Sequence, residues 1–185
     1  MLQSKKKSFN QIKIHSQYSI CEGALKIENL KEYCKKNKIQ SVGLSDTYNL
    51  SGALEFSENI SSVGTQPIIG SQVQFKFKNT YGLIPLIAKN YNGYKNIIEL
   101  SSKAYLENVD NDQPHCSIED LTKYSDGIIV LSGAINNLIG NMFNKGLFEE
   151  LDELIIILNN NFKENFYLEI QRHGDKNEKE FEIFN

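Results

Sequence analysis

A histidine and a carboxylate seven residues apart carry the first hint of chemistry in this chain. Ile12-Lys13-Ile14-His15-Ser16-Gln17-Tyr18-Ser19 reads as a strand delivering His15 to its end, and the loop that follows presents Glu22 ahead of Gly23. Ligands for a metal or a phosphate group gather where strands run into loops at the mouth of a βα barrel. Asp46, in Leu44-Ser45-Asp46-Thr47, occupies another strand end, and His173 follows the last strand-like run. Several imidazoles and carboxylates converging would suit zinc or a hard divalent cation. Each residue also has a plainer reading. His15 serves as a loop histidine that hydrogen-bonds locally, and Glu22 as a turn or cap residue. Asp46 caps the following helix, and His173, beside Arg172, faces solvent. His115, in a polar loop, reads as surface. The chain has no GxxxxGK[ST], no GxGxxG and no serine nucleophile elbow.

Strands and helices must alternate to hold these side chains. Phe9 to His15 reads as a strand. Ile27 to Asn37 reads as a helix with Ile27, Leu30 and Cys34 on one face and lysines near its end. Ser41 to Ser45 is a short buried strand. Ser51 to Val63 is helical, with Leu54 and Phe56 among its apolar positions, and Gly64 stops it. Pro67 to Phe77 is a strand in which Val73, Phe75 and Phe77 alternate with Gln72, Gln74 and Lys76. Asn79-Thr80-Tyr81-Gly82 is a turn, and Leu83 to Ala88 a further strand. Tyr91 to Tyr105 is helical, Asn108 to Pro114 a polar loop. Ser117 starts a short helix with Asp120 as its capping-box partner. The β-branched run Gly127 to Ser132 is a buried strand. Leu147, Leu151, Leu154, Ile155 and Leu158 repeat at helical spacing, and Asn165 to Gln171 is a last strand.

This alternation implies an α/β fold with a largely parallel sheet, open or closed into a barrel. No repeat or linker divides residues 1–185, which read as one domain. Asn177 to Asn185 forms an amphipathic helix, Phe181 and Phe184 on its apolar side, with no stop signal. A barrel opened after about six strands leaves an unpaired edge. The chain therefore reads as the front part of something longer, with marginal stability or self-association expected of this piece alone.

A chain of 185 residues, 40% hydrophobic, suits one sizeable core. A net charge of −3 argues against this segment being a main DNA clamp, which would want a basic surface. Lys5-Lys6-Lys7 is a solvated tail or a phosphate contact. Cys21, Cys34 and Cys116 are odd in number and lack CxxC spacing, which points away from a disulfide framework or structural zinc and towards the cytoplasm. Cys34 belongs to an apolar helix face. No apolar run approaches a membrane span, and the N-terminus lacks a signal-peptide core.

Five connected phrases sharpen this picture: Leu50-Ser51-Gly52-Ala53-Leu54-Glu55-Phe56, Pro67-Ile68-Ile69-Gly70, the stretch Ala88 to Asn96, Ile129-Val130-Leu131-Ser132-Gly133 and the stretch Phe166 to Gly174. In that order they resemble the PHP domain at the start of bacterial replicative DNA polymerase III alpha subunits, over nearly the whole chain. The resemblance implies a distorted βα barrel, TIM-barrel-like, truncated before its last strands. Active PHP domains resemble phosphoesterases with a trinuclear metal site built from a His-x-His pair, an acidic residue, Thr-Asp-His, Gly-x-Glu, and later histidines and an aspartate. Here Lys13 stands at the first histidine, Thr47 at the histidine of Thr-Asp-His, Gln72 at the glutamate of Gly-x-Glu and Leu83 at a further histidine. His15, Glu22, Asp46 and His173 keep family positions. A cation at 13, a lost charge at 72 and an alkyl group at 83 remove ligand count and geometry together, so the resemblance implies no metal and no catalytic residue in this segment. Lys13 is expected to fill the vacated centre by pairing with Glu22 or Asp46.

The implied role is structural. The segment would support a parent polymerase, whose own nucleotidyl transfer uses Mg²⁺ held by a palm domain outside this chain, and would dock a proofreading exonuclease subunit. DNA would be met through the parent. The alternative is a metal-dependent phosphoesterase or 3′-5′ exonuclease using His15, Glu22, Asp46 and His173. A free-standing binding module is a third reading.

Overall fold

The computed structural model describes residues 9–107, 113–174 and 176–184. The Lys5-Lys6-Lys7 run lies outside them, as does most of the loop expected at 108–114.

A mixed α/β architecture is built on one six-stranded sheet, in the order β1 (Ser41–Thr47), β2 (Gln66–Phe77), β3 (Thr80–Ala88), β5 (Ile128–Leu131) and β6 (Phe166–Tyr167), with the two-residue β4 (Cys116–Ser117) joined to the far end of β2. The expectation of a largely parallel sheet needs correction. β1–β2, β2–β4 and β5–β6 are parallel, but β2–β3 and β3–β5 are antiparallel. The cause is a tight hairpin. Phe77 pairs with Thr80, leaving Lys78 and Asn79 as a two-residue turn with Lys78 at φ 51°. Such turns match strand twist and reverse the chain with no room for a crossover helix. The turn therefore precedes the stretch expected for it, and Thr80 to Gly82 belong to β3.

The expected strand Phe9–His15 is also corrected. Only isolated bridges join this segment to its neighbours, Ile14 to Leu44 and Ser16 to Leu25. Its backbone still docks along β1: Ile14 N–H donates to Gly43 O at 3.0 Å, Gly43 N–H to Gln11 O at 2.8 Å and Ser45 N–H to Ile14 O at 2.8 Å. Gly43 permits this approach, since a Cβ there would lie 2.3 Å from Ile12 O. The last strand is shorter than expected, confined to Phe166–Tyr167.

Helix α1 (Ile27–Asn37) buries Ile27, Leu30 and Cys34 as its spacing demands, and ends where Lys38 turns left-handed at φ 52°. With α2 (Ala53–Ser61) and β1 it encloses a smaller core of Ile27, Leu30, Cys34, Val42, Leu44, Phe56 and Ile60. Leu54 faces solvent. The larger core lies between β2, β3 and β5 and the helices α3 (Tyr91–Leu106), α4 (Ile118–Lys123), α5 (Leu138–Asn144) and α6 (Phe148–Phe162). Phe75, Leu86, Ile97, Leu100, Val130 and Leu154 are fully buried there, each contributing about 1.5–3 kcal/mol relative to exposure. The closing helix α7 (Glu178–Phe184) packs Phe181 and Phe184 against Phe143. His115, expected at the surface, is 7% exposed, its ring edge-on to Tyr81 at 5.1 Å. No helix among the described residues is long and apolar enough to cross a membrane.

Candidate functional site at the strand ends

The C-terminal end of β1, the middle of β2, the Ser16–Gly23 loop and the segment after β6 border one polar region. β1 brings Asp46 and Thr47, and β2 brings Gln72, paired in register with Thr47. Gln72 and Gln74 are both buried, unlike exposed Lys76. Gln72 and Gln74 thus turn the polar side of mid-β2 towards Thr47 and Tyr48, while Gln66 and Lys76 on the same side are exposed.

Asp46 is 1% exposed. Its Oδ1 accepts from Ser16 N–H at 2.6 Å and Ser19 Oγ at 2.8 Å, and its Oδ2 accepts from Ser16 Oγ at 2.7 Å. Thr47 N–H donates to Ser19 Oγ at 3.0 Å. Asp46 is thus neither a helix cap nor an open ligand. It pins the Ser16–Ser19 loop to β1, and a buried carboxylate demands donors of this kind.

Glu22 and Thr47 form the next layer. Thr47 Oγ1 donates to Glu22 Oε2 at 2.5 Å, and Gln72 Nε2 donates to Thr47 Oγ1 at 3.1 Å. His15 faces the same group, with Nδ1 3.8 Å from Glu22 Oε2 and 3.4 Å from Ser19 Oγ, and Nε2 3.5 Å from Gln72 Nε2. Asn137 Nδ2 reaches Gln72 Oε1 and Leu83 O, both at 3.3 Å. Tyr48 donates its hydroxyl to Gln74 Oε1 at 2.6 Å. Burial, followed by the nearby charge of Glu22, pushes that phenol above its ordinary range.

Lys13 pairs with neither Glu22 nor Asp46. Its Nζ lies 3.0 and 3.3 Å from the two carboxylate oxygens of Glu169. Asp46 accepts instead from Ser16 and Ser19, and Glu22 Oε2 from Thr47. Gln171 Nε2 also donates to Glu169, and Gln171 Oε1 lies 3.1 Å from His173 Nε2. Alternate residues of this last segment therefore chain inward from exposed His173 to Lys13. Glu169 itself is fixed by its N–H, which donates to Ser132 Oγ at 2.8 Å.

His15, Glu22, Asp46, Thr47, Gln72 and Lys13 thus all border the cluster, Leu83 enters through its carbonyl, and His173 stays at the rim. Ser16, Ser19, Ser132, Asn137 and Glu169 were missed. The even spacing of Glu169, Gln171 and His173 was the available signal for Glu169. The serines offered none beyond sitting in the His15 loop.

This residue set does not fit a metal cluster. Lys13 contributes an ammonium and Leu83 an alkyl side chain, Asp46 accepts from Ser16 and Ser19, and Glu22 Oε2 accepts from Thr47. Among the described residues no three His, Cys, Asp or Glu side chains are arranged to hold an ion.

Comparison with known proteins places this geometry in a lineage. A curated DNA polymerase III subunit alpha from Borreliella burgdorferi is 37% identical over 182 residues, covering 92% of this chain and 16% of the relative. The Caulobacter vibrioides DNA polymerase III subunit alpha is 33% identical over 175 residues, 90% of this chain and 15% of that protein. The chain therefore spans about one-sixth of the length of these curated relatives. A solved structure from Bifidobacterium adolescentis, described as a candidate metal-dependent phosphoesterase, shares the fold: TM-score 0.59 at 12% identity, covering 95% of this chain and 81% of that one. Residues 11–173 match the PHP domain, and the chain belongs to the PHP domain family.

Proposed function

We propose that this chain is the PHP portion of a replicative DNA polymerase III alpha subunit, and that this portion is structural and catalytically silent. The observation that carries the reading is the Lys13–Glu169 pair, an ammonium set where the family's first metal-binding histidine would stand. A cation there repels divalent ions and leaves no open position for a metal-activated water. The near end-to-end match to polymerase III alpha subunits supports the parent. In that parent, template-directed nucleotidyl transfer and its Mg²⁺ belong to other domains. The segment supports the polymerase core and docks the proofreading exonuclease subunit in the cytoplasm.

An immunoblot of source cells with antibody to this segment tests the parent. A band several times larger than 21.1 kDa is expected, and a band at 21.1 kDa sinks it. Metal analysis after dialysis against Mn²⁺ or Zn²⁺, together with a phosphoesterase assay, tests silence. Stoichiometric metal or turnover abolished by His15→Ala would favour the phosphoesterase alternative. Restoring Lys13→His, Thr47→His and Gln72→Glu together asks whether the scaffold can still accept ions.

A further inference from the structure

We infer that Lys13 and Glu169 form a brace that joins the two open edges of the sheet across its mouth. The sheet runs from β1 to β6 without closing. Beyond β1 lies the N-terminal segment, held through Ile14 and Leu44. At the other edge, β6 passes directly into Glu169. The first and last elements of the sheet thus have no ladder between them, yet their side chains meet at 3.0 Å across 156 residues of sequence.

Three observations separate this pair from an ordinary surface contact, which contributes little. Both side chains are largely buried, 13% and 14% exposed. The ammonium lies within reach of both carboxylate oxygens while Gln171 holds the carboxylate from a second side. Each partner is anchored at its backbone: Ile14 and Gly43 fix the Lys13 segment to β1, and Ser132 both donates its N–H to Tyr167 O at 2.9 Å and accepts the Glu169 N–H. The sheet curvature brings these anchors together, and the charge pair holds them at the mouth. A charge left unpaired in such a place costs more than the intact pair contributes, so loss of one partner should open the mouth more than loss of both.

The inference rests on the reading that no metal organises this centre, and its test separates the two. Hydrogen exchange is measured on the full polypeptide for peptides spanning residues 9–16 and 166–174, with α3 as internal control. Lys13→Met and Glu169→Gln should each speed exchange in both peptides by roughly tenfold or more while α3 stays protected. The charge swap Lys13→Glu with Glu169→Lys should recover most of the protection, and the double neutral variant, which relieves the unpaired charge but restores no brace, only part of it. If the single variants fail to fold, rescue by the charge swap still supports the brace, and a double neutral variant as protected as the native polypeptide overturns it. Single variants that leave both peptides unchanged, or a swap no better than the singles, overturn it. A chelator arm judges the metal-free reading alone: faster exchange of the native polypeptide in chelator would overturn that reading, whatever Lys13 does.

Discussion

Asp46 holds Ser16 at two points, taking the backbone N–H on Oδ1 at 2.6 Å and the hydroxyl on Oδ2 at 2.7 Å. With Ser19 on the same carboxylate, a loop of the N-terminal segment is locked onto the end of β1. Asp46 thus serves as an architectural anchor.

Asp46→Ala should therefore destabilise the fold by roughly 3 kcal/mol. It removes a charged acceptor and strands a buried N–H and two hydroxyls. Ser19→Ala should cost less, about 2 kcal/mol, because it strands the buried Thr47 N–H but Ser16 keeps both carboxylate oxygens engaged. Denaturant unfolding measures both, and an Asp46→Ala loss below that of Ser19→Ala would contradict the anchor role.

Thiol labelling should divide the cysteines by environment. Cys116 is buried and donates its Sγ–H to Leu100 O at 3.2 Å, and burial, reinforced by Asp120, pushes its thiol up to about 12. Burial also raises the Cys34 thiol, against a hydrogen bond with Thr65. Cys21 is exposed. At pH 8 a thiolate-specific reagent should label Cys21 rapidly and the other two only after denaturation. Fast native labelling of Cys116 would show that its core opens freely.

The capping box of α4 gives an acid-dependent contribution. Burial would raise the Asp120 carboxyl, but the hydrogen bonds from Ser117 backbone and hydroxyl, with Lys103 beside it, outweigh burial and hold it below its ordinary range. The folded value being depressed, this stabilisation is complete above the unfolded value of about 3.9 and is lost as pH falls through the folded one. Ser117→Ala should cost about 1 kcal/mol at neutral pH. It should also flatten the fall in stability below about pH 4. Equal pH dependence in the variant and the parent protein would refute the linkage.

Local signals were legible wherever one face of an element meets one environment. Ile27, Leu30 and Cys34 define α1 by spacing, and Ser117 with Asp120 marks α4, because both effects act within a turn or two of chain. The burial of Gln72 and Gln74 was not legible, because polarity alone does not distinguish a strand face turned to water from one turned to buried polar partners. His115, expected at the surface, misled for the same reason, its ring packing edge-on against Tyr81. The hairpin at Lys78-Asn79 lacks the glycine that usually announces such a turn, which hid the antiparallel β3. At the site, the residue types at Lys13, Thr47, Gln72 and Leu83, none of them an imidazole or a carboxylate, could be read directly. The partner of Lys13 could not, since pairing across 156 residues depends on how the folded sheet brings its two edges together.

The β2–β3 hairpin also bears on the order in which the molecule can assemble. Its register begins with Phe77 and Thr80, neighbours in sequence, so it zips at the lowest closure entropy available to any strand pair here. The polar cluster lies at the opposite extreme, needing the N-terminal segment and the residues after β6 together. Nascent chain emerging from synthesis would already carry the hairpin while Glu169 was still unmade, and the mouth of the sheet could be completed only after nearly all of this chain existed.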